Sequence, residues 1–270
     1  MINIAIITGA SSGMGKEFAN QISTNSLYDE IWIIARRKDK LDEISLQLNN
    51  QTNSKKVIPI VLDISKKESI FILQNELLKK QQELSLLNNS LNIQLLINNA
   101  GFGTYGPFDD TDINKEMEMV DLNCTALTGI TGISIPFMHE GSQIINTASM
   151  ASYWALGNFA VYGASKAYVL SFTIALAAEL KHKGIKVCAL CPGPVSTEFA
   201  NVASNGERKE VKHGVETSKV VKHCLKQASK NRKTAIYAFK WKIEAFGSHL
   251  FGKYLGAWAT YKFCKRPYKK

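Results

Sequence analysis

Cysteine is scarce in this chain and badly placed for a disulfide framework. The five residues, Cys124, Cys188, Cys191, Cys224 and Cys264, are odd in number and scattered. "CALC" (188–191) has the spacing of a redox pair, but it lies in "GIKVCALCPGP", a buried-strand pattern running into a turn, so two packed thiols are expected. The five histidines, His139, His182, His213, His223 and His249, have no metal-ligand spacing, and no catalytic metal is expected. No apolar run approaches the roughly 18–20 residues that span a bilayer. The start, "MINIAIITGA", lacks the basic residues and cleavage site of a secretory signal, which points to a cytoplasmic protein. Acidic residues become rare near the end. Residues 1–200 carry a net charge of −3 and residues 201–270 a net charge of +13, so the +10 surplus belongs to the last quarter. No nucleic-acid-binding module accompanies that charge, and no nucleic-acid partner is expected.

Short β-rich runs alternate with helical patterns. Strands are expected at 3–8, 30–35, 57–62, 93–97, 143–148, 185–191 and 234–238. Helices are expected near 14–24, 39–50, 66–87, 112–134, 160–182 and 216–229. The runs lack polar alternation, the mark of strands covered on both faces. Strand–helix alternation of this kind predicts an α/β fold, a single doubly wound domain with a parallel seven-stranded sheet. That domain is placed at residues 1–238, followed by a basic, aromatic-rich helical extension at 239–270.

The first strand runs directly into "TGASSGMG", Thr8 to Gly15. Glycines 9, 13 and 15 permit a tight turn and close approach of a ligand, and the following helix offers free N–H groups to a pyrophosphate. The spacing differs from G-x-G-x-x-G, and a plain glycine-rich turn is the competing reading. The second strand ends "IIARRK". A site selective for NAD usually places an acid here. Arg36 and Arg37 instead favour a 2′-phosphate.

At this point the chain resembles the short-chain dehydrogenase/reductase family. The resemblance covers roughly residues 3–200 and rests on seven ordered motifs: "TGASSGMG", "LDI" (62–64), "INNAG" (97–101), "DLNCTA" (121–126), "INTAS" (145–149), "YGASK" (162–166) and "CPGPVSTEF" (191–199). It implies a Rossmann-like fold, an NADP(H) cofactor and hydride transfer between nicotinamide and a carbonyl or alcohol. It also implies a catalytic set of Asn123, Ser149, Tyr162 and Lys166. Tyr162 would be the general acid or base, with Lys166 lowering its pKa and binding the nicotinamide ribose. Ser149 would hold the substrate oxygen, and Asn123 a relay water. Tyr162 and Lys166 are one helical turn apart and share a face. The similar pair Tyr261–Lys265 has no upstream serine at a strand end and is read as coincidence. The cofactor would meet Gly9, Ser11, Ser12, Gly13, Met14, Gly15, Arg36, Arg37, Asp63, Ile64, Asn99, Ala100 and Gly101. Its nicotinamide end would meet Tyr162, Lys166, Pro192, Gly193, Val195 and Thr197. Ser12 stands where many NADP-dependent members have Lys or Arg, which shifts phosphate binding onto Arg36, with Ser11 and Arg37 beside it.

"MASYWALGNFAV" (150–161) lies between the serine and the tyrosine, so Met150, Tyr153 and Phe159, with Trp154, are expected as apolar substrate walls or as ordinary packing. Residues 200–216 look like a substrate lid. In the extension, Ile243, Phe246, Gly247, Leu250, Phe251, Tyr254, Leu255, Trp258 and Tyr261 fall on one stripe of a single helix. Three occupants compete for it: its own domain or a second subunit, an anionic membrane surface met peripherally, or an acidic carrier protein. The leading functional expectation is an NADPH-dependent reductase of a hydrophobic carbonyl compound, assembled as a homodimer or homotetramer. The alternatives are a 3-oxoacyl reductase of lipid synthesis and an NADP(H)-sensing protein without turnover.

Overall fold

The computed structural model describes residues 1–54, 56–209, 211, 214–248 and 252–269. Seven strands form one parallel sheet: β1 (Ile2–Thr8), β2 (Glu30–Ala35), β3 (Val57–Val61), β4 (Leu91–Asn98), β5 (Gln143–Thr147), β6 (Lys186–Leu190) and β7 (Thr234–Ala235). Their spatial order is β3-β2-β1-β4-β5-β6-β7. The chain therefore winds outward from β1 in one direction, then returns to β4 and winds in the other. This reversal leaves a crevice between the carboxyl ends of β1 and β4.

Isoleucine, leucine and valine dominate the central strands because both faces are covered. Ile4 and Ile6 point into one apolar layer, Ala5 and Ile7 into the other. Alternate residues of a strand face opposite sides, so each strand serves two cores. Helices α1 (Gly13–Ser23), α2 (Lys38–Thr52) and α3 (Lys67–Leu86) follow the first three strands. Helices α4 (Ile113–Val120) and α5 (Leu127–Ser134) are joined by one turn of π-helix, Asp121–Ala126. Helix α6 (Ala160–Glu179), with the 3₁₀ turn Leu180–Lys183, packs along β6; by length and composition alone this stretch could cross a membrane, and it serves here as a core helix. Helices α7 (Phe199–Ala203), α8 (Thr217–Ser229), α9 (Phe239–Gly247) and α10 (Lys253–Phe263) complete the chain.

All seven expected strands form. The last ends at Ala235 rather than at 238, because the chain turns away into α9 through Ala238, whose φ is +69°. The extension is two helices and not one. Leu250 and Phe251 of the expected stripe lie outside the described residues, between Ser248 and Gly252. The region expected as an irregular lid begins with helix α7, and the remainder of 200–216 includes positions outside the described residues. Cys188 and Cys191 are buried free thiols, as the strand reading requires. Among the described residues no cluster of His, Cys, Asp and Glu could hold a metal.

Candidate active site

The crevice between β1 and β4 opens into a cavity of about 490 Å³. Gly9, Ser11, Ser12, Gly13 and Met14 form one wall, Arg36, Arg37, Asp63 and Ile64 the end beyond β2, and Asn99, Ala100 and Gly101 the wall from β4. Thr197 lines it from the loop after β6. Glycine is required at several points. Gly9 has φ +67° and Gly13 φ +52°. A Cβ at Gly15 would stand 2.2 Å from the Gly9 carbonyl oxygen, so α1 could not start where it does with any other residue. Thr8 holds the two walls together. Its hydroxyl accepts the backbone N–H of Asn99 at 3.0 Å and of Ala100 at 3.1 Å, and the Asn99 amide donates to the Thr8 carbonyl at 3.1 Å. A glycine-lined slot at a helix start, at the switch point of the sheet, fits a dinucleotide.

The two arginines differ. Arg37 donates Nε to Ser11 Oγ at 3.1 Å and pairs with Glu198 at 3.0 Å. Arg36 is largely exposed and, among the described residues, pairs with Asp63 at 4.0 Å. Of the pair, Arg36 has its guanidinium available to an anion.

Behind Gly101 lies a buried polar cluster. A Cβ on Gly101 would be 2.7 Å from Asn123 Oδ1 and 3.3 Å from Lys166 Nζ, so this glycine is the window between cavity and polar cluster. Asn123 sits in the π-helical turn, which re-aims its side chain out of the α4–α5 helical ladder. Its Oδ1 accepts the Phe102 N–H at 3.1 Å; its Nδ2 donates to the Phe102 carbonyl and to Ser165 Oγ, each at 3.0 Å. Ser149 follows β5 and caps the 3₁₀ turn Met150–Ser152, accepting from the Ala151 N–H at 3.1 Å. Tyr162 and Lys166 are both buried on one face of α6. The Lys166 ammonium donates to the Thr147 carbonyl at 2.7 Å and lies 5.8 Å from the Tyr162 ring centroid. Ser152 Oγ fixes the helix turn from below by donating to the Lys166 carbonyl at 2.7 Å.

Ser149, Tyr162, Lys166 and Asn123 are thus brought together, with Gly101 bordering Asn123 and Lys166 on the cavity and Gly103 bordering Tyr162. Their electrostatics differ from the sequence expectation in one respect. Lys166 does not dominate the Tyr162 phenol: burial pushes the phenol up to about 12, with the hydrogen bond from Ser149 pulling the other way. Burial also draws the Lys166 ammonium down to about 8. Both groups occupy a dry site that penalises either charge, and the ammonium already spends a proton on Thr147.

Several expected contacts fall elsewhere. Pro192 gives its carbonyl to the Met150 N–H at 2.9 Å, Val195 joins the apolar core, and Gly193 is covered by Trp241 of α9. A Cβ on Gly193 would stand 2.4 Å from the Trp241 ring. None of these three lines the cavity. Tyr153 packs its ring against the cluster around Val169, and its hydroxyl reaches Cys191 Sγ at 3.8 Å. Met150 is buried in the same turn. Phe159 does meet the site, stacking on Tyr162 with ring centroids 4.1 Å apart.

The extension closes the space above these residues, a role that no motif announced. The Gly157 N–H donates to Thr260 Oγ1 at 2.9 Å, and Asn158 Nδ2 donates to the Tyr261 carbonyl at 2.9 Å. Arg266 Nη1 donates to the Gly157 carbonyl at 2.7 Å, and its guanidinium lies 5.1 Å from the Phe159 ring centroid. Arg208 Nη2 binds the Lys265 carbonyl at 2.9 Å, and the Lys269 N–H binds the Ser204 carbonyl at 3.1 Å. Tyr268 reaches the cavity rim.

The model of the short chain dehydrogenase family matches residues 3–208, more than half of the chain. Over 215 residues the chain is 30% identical to sulfoacetaldehyde reductase 2 of Chromohalobacter salexigens, covering 77% of this chain and 79% of that protein. It is 29% identical over 205 residues to the very-long-chain 3-oxoacyl-CoA reductase of Anas platyrhynchos, covering 74% of this chain and 62% of that protein. Among solved structures it resembles a short-chain dehydrogenase from Sphingobium yanoikuyae in complex with NADPH, with a TM-score of 0.78, 24% identity, and coverage of 92% of this chain and 94% of that one. Sheet order, glycine-lined crevice and family match agree: the chain belongs to the short-chain dehydrogenase/reductase family of oxidoreductases.

Proposed function

We propose that the protein is an NADP(H)-dependent oxidoreductase that interconverts a carbonyl and an alcohol on a largely apolar substrate. The observation that carries this reading is the cluster of Ser149, Tyr162 and Lys166 behind two glycines of the cavity wall, Gly101 against Lys166 and Gly103 against Tyr162. A bound nicotinamide dinucleotide supplies or takes up the hydride. The remaining work is assigned to this chain's own side chains. Ser149 donates to the substrate oxygen and holds it beside the phenol. Tyr162, protonated at neutral pH, delivers its proton to that oxygen during reduction and takes it back during oxidation. Lys166 keeps positive charge next to the phenolate that proton transfer leaves. Asn123, fixed by Phe102 and Ser165, marks the inner end of the relay.

Arg36 supports selectivity for NADP(H), because its exposed guanidinium beside the cavity has only a distant carboxylate partner. Phe159, Tyr105 and Phe199 pack around Tyr162 and give the reacting space aromatic walls, which favours an apolar substrate. The likeness to a very-long-chain 3-oxoacyl-CoA reductase favours a second reading, reduction of 3-oxoacyl thioesters.

The test follows cofactor absorbance for the wild type and Tyr162→Phe, with NADPH or NADH and a panel of hydrophobic ketones, aldehydes and 3-oxoacyl thioesters. NADPH-selective turnover that falls about 10²–10⁴-fold in Tyr162→Phe supports the reading. Turnover confined to thioesters selects the second reading. Turnover that survives the substitution removes Tyr162 as the acid. Cofactor binding with no turnover on any substrate favours a sensing protein.

A further inference from the structure

The extension has two apolar faces, and among the described residues one is packed on the chain and the other is exposed. On α9 the packed side is Trp241, Ala245 and Ser248: Trp241 covers Gly193, and Ala245 is buried. The opposite side carries Phe239, Ile243 and Phe246, at i, i+4 and i+7, and these are 75%, 58% and 69% exposed. On α10 the packed side is Gly256, Ala257 and Thr260, set against Trp154 and Gly157. Its outward side carries Leu255 and Trp258, 63% and 46% exposed. On the outward side of α10, Lys262 Nζ lies 5.0 Å from the Trp258 ring centroid; on α9, Lys240 Nζ lies 4.7 Å from that of the packed Trp241. Residues 239–270 hold eight Lys or Arg and one acid, Glu244.

We propose that the outward faces of α9 and α10 dock on an anionic lipid surface. Exposed phenylalanine, isoleucine and tryptophan call for an apolar medium, which a soluble polyanion does not offer. Lysines interleaved with them call for negative charge at the boundary of that medium. A second copy of the chain fits poorly, because an isologous contact would place the same strongly cationic segment against itself. Docking by this face brings the bilayer to the outside of the segment whose inside covers Phe159 and, behind it, Tyr162. An apolar substrate dissolved in the bilayer would then lie close to the site.

The test is flotation of the full-length protein with phosphatidylcholine vesicles, with and without phosphatidylglycerol. Binding is expected to the anionic vesicles only and to weaken steeply with salt. Lys240→Gln and Lys262→Gln should each weaken it about five-fold. Ile243→Asp with Phe246→Asp should abolish it while circular dichroism and the melting temperature hold. Brominated lipid should quench tryptophan emission in the wild type, and less so in Trp258→Phe, a readout that needs no charged substitution. Absence of flotation with anionic vesicles overturns the proposal. So does flotation indifferent to all of these substitutions, or a dimer in light scattering that Ile243→Asp dissolves in a protein that ignores vesicles.

Discussion

Removing the Arg266 side chain should loosen the extension without unfolding the sheet. Arg266 makes two contacts across the closure, a hydrogen bond to the Gly157 carbonyl at 2.7 Å and a cation–π contact with Phe159 at 5.1 Å. A hydrogen bond from a charged donor contributes about 1.5–3 kcal/mol, and the low end applies because the residue is only half-buried. The ring contact adds about 0.5 kcal/mol. Arg266→Ala should therefore shift the local opening equilibrium by about 2 kcal/mol, or roughly 30-fold. Hydrogen exchange reads this directly. Amides of α10 and the Gly157 N–H should exchange about 30-fold faster, with β1, β4 and β5 unchanged; Lys262→Ala, on the outward face, is the control. Unchanged exchange in α10 would refute the idea that Arg266 fastens the closure. Equal acceleration throughout the sheet would refute the idea that the extension opens as a local unit.

Arg36→Leu should raise the KM for NADPH about 10–100-fold with little effect on NADH, since one charge-assisted contact to the 2′-phosphate is lost; equal effects on both cofactors would exclude that contact. Ala238→Gly should raise stability by about 1 kcal/mol in denaturant unfolding, because φ +69° with ψ 140° strains any residue with a Cβ; a loss of stability would show that the strain is absent. Stability should also peak near pH 8.5 in thermal melts. The Lys166 pKa is depressed to about 8, so from about 7.5 to 8.5 the folded chain sheds a proton that the unfolded chain keeps, and stability rises with pH. Above about 8.5 the buried thiols of Cys188, Cys191 and Cys224 stay protonated in the fold while unfolded thiols ionise, and their three protons outweigh the one from Lys166, so stability falls. Lys166→Met should lose the rise and keep the fall.

The fold was legible because its signals are local and repeated. Ile4 to Ile7 and Leu95 to Ile97 read as doubly covered strands from residue type alone, and Gly9, Gly13 and Gly15 mark a turn that tolerates no Cβ. Asn123, Ser149, Tyr162 and Lys166 were legible through motif order, and the structure brings them together. Their supports were not. Thr8, Thr147, Ser152 and Ser165 act through a hydroxyl or a backbone carbonyl on neighbours that only the folded chain supplies, and such residues leave no pattern. The burial of Tyr162 was not legible for a related reason. Helical spacing shows that Lys166 shares its face, but not how completely both are stripped of water, and burial outweighs the neighbouring charge.

The extension separates periodicity from packing. Its apolar stripe was visible at helical spacing, and large aromatics would ordinarily be assigned to the packed side. The reverse holds on α10. Close approach to the loop after β5 demands small groups, because a Cβ on Gly157 would stand 2.4 Å from Tyr261 Cβ and one on Gly256 2.8 Å from the Trp154 ring. Gly256, Ala257 and Thr260 therefore face inward, and Leu255 and Trp258 are left outside. An apolar stripe reports that residues share a face; the small residues opposite it report where another backbone comes close. In this chain the second signal locates the closure over the site, and the first then becomes available for a surface beyond the chain itself.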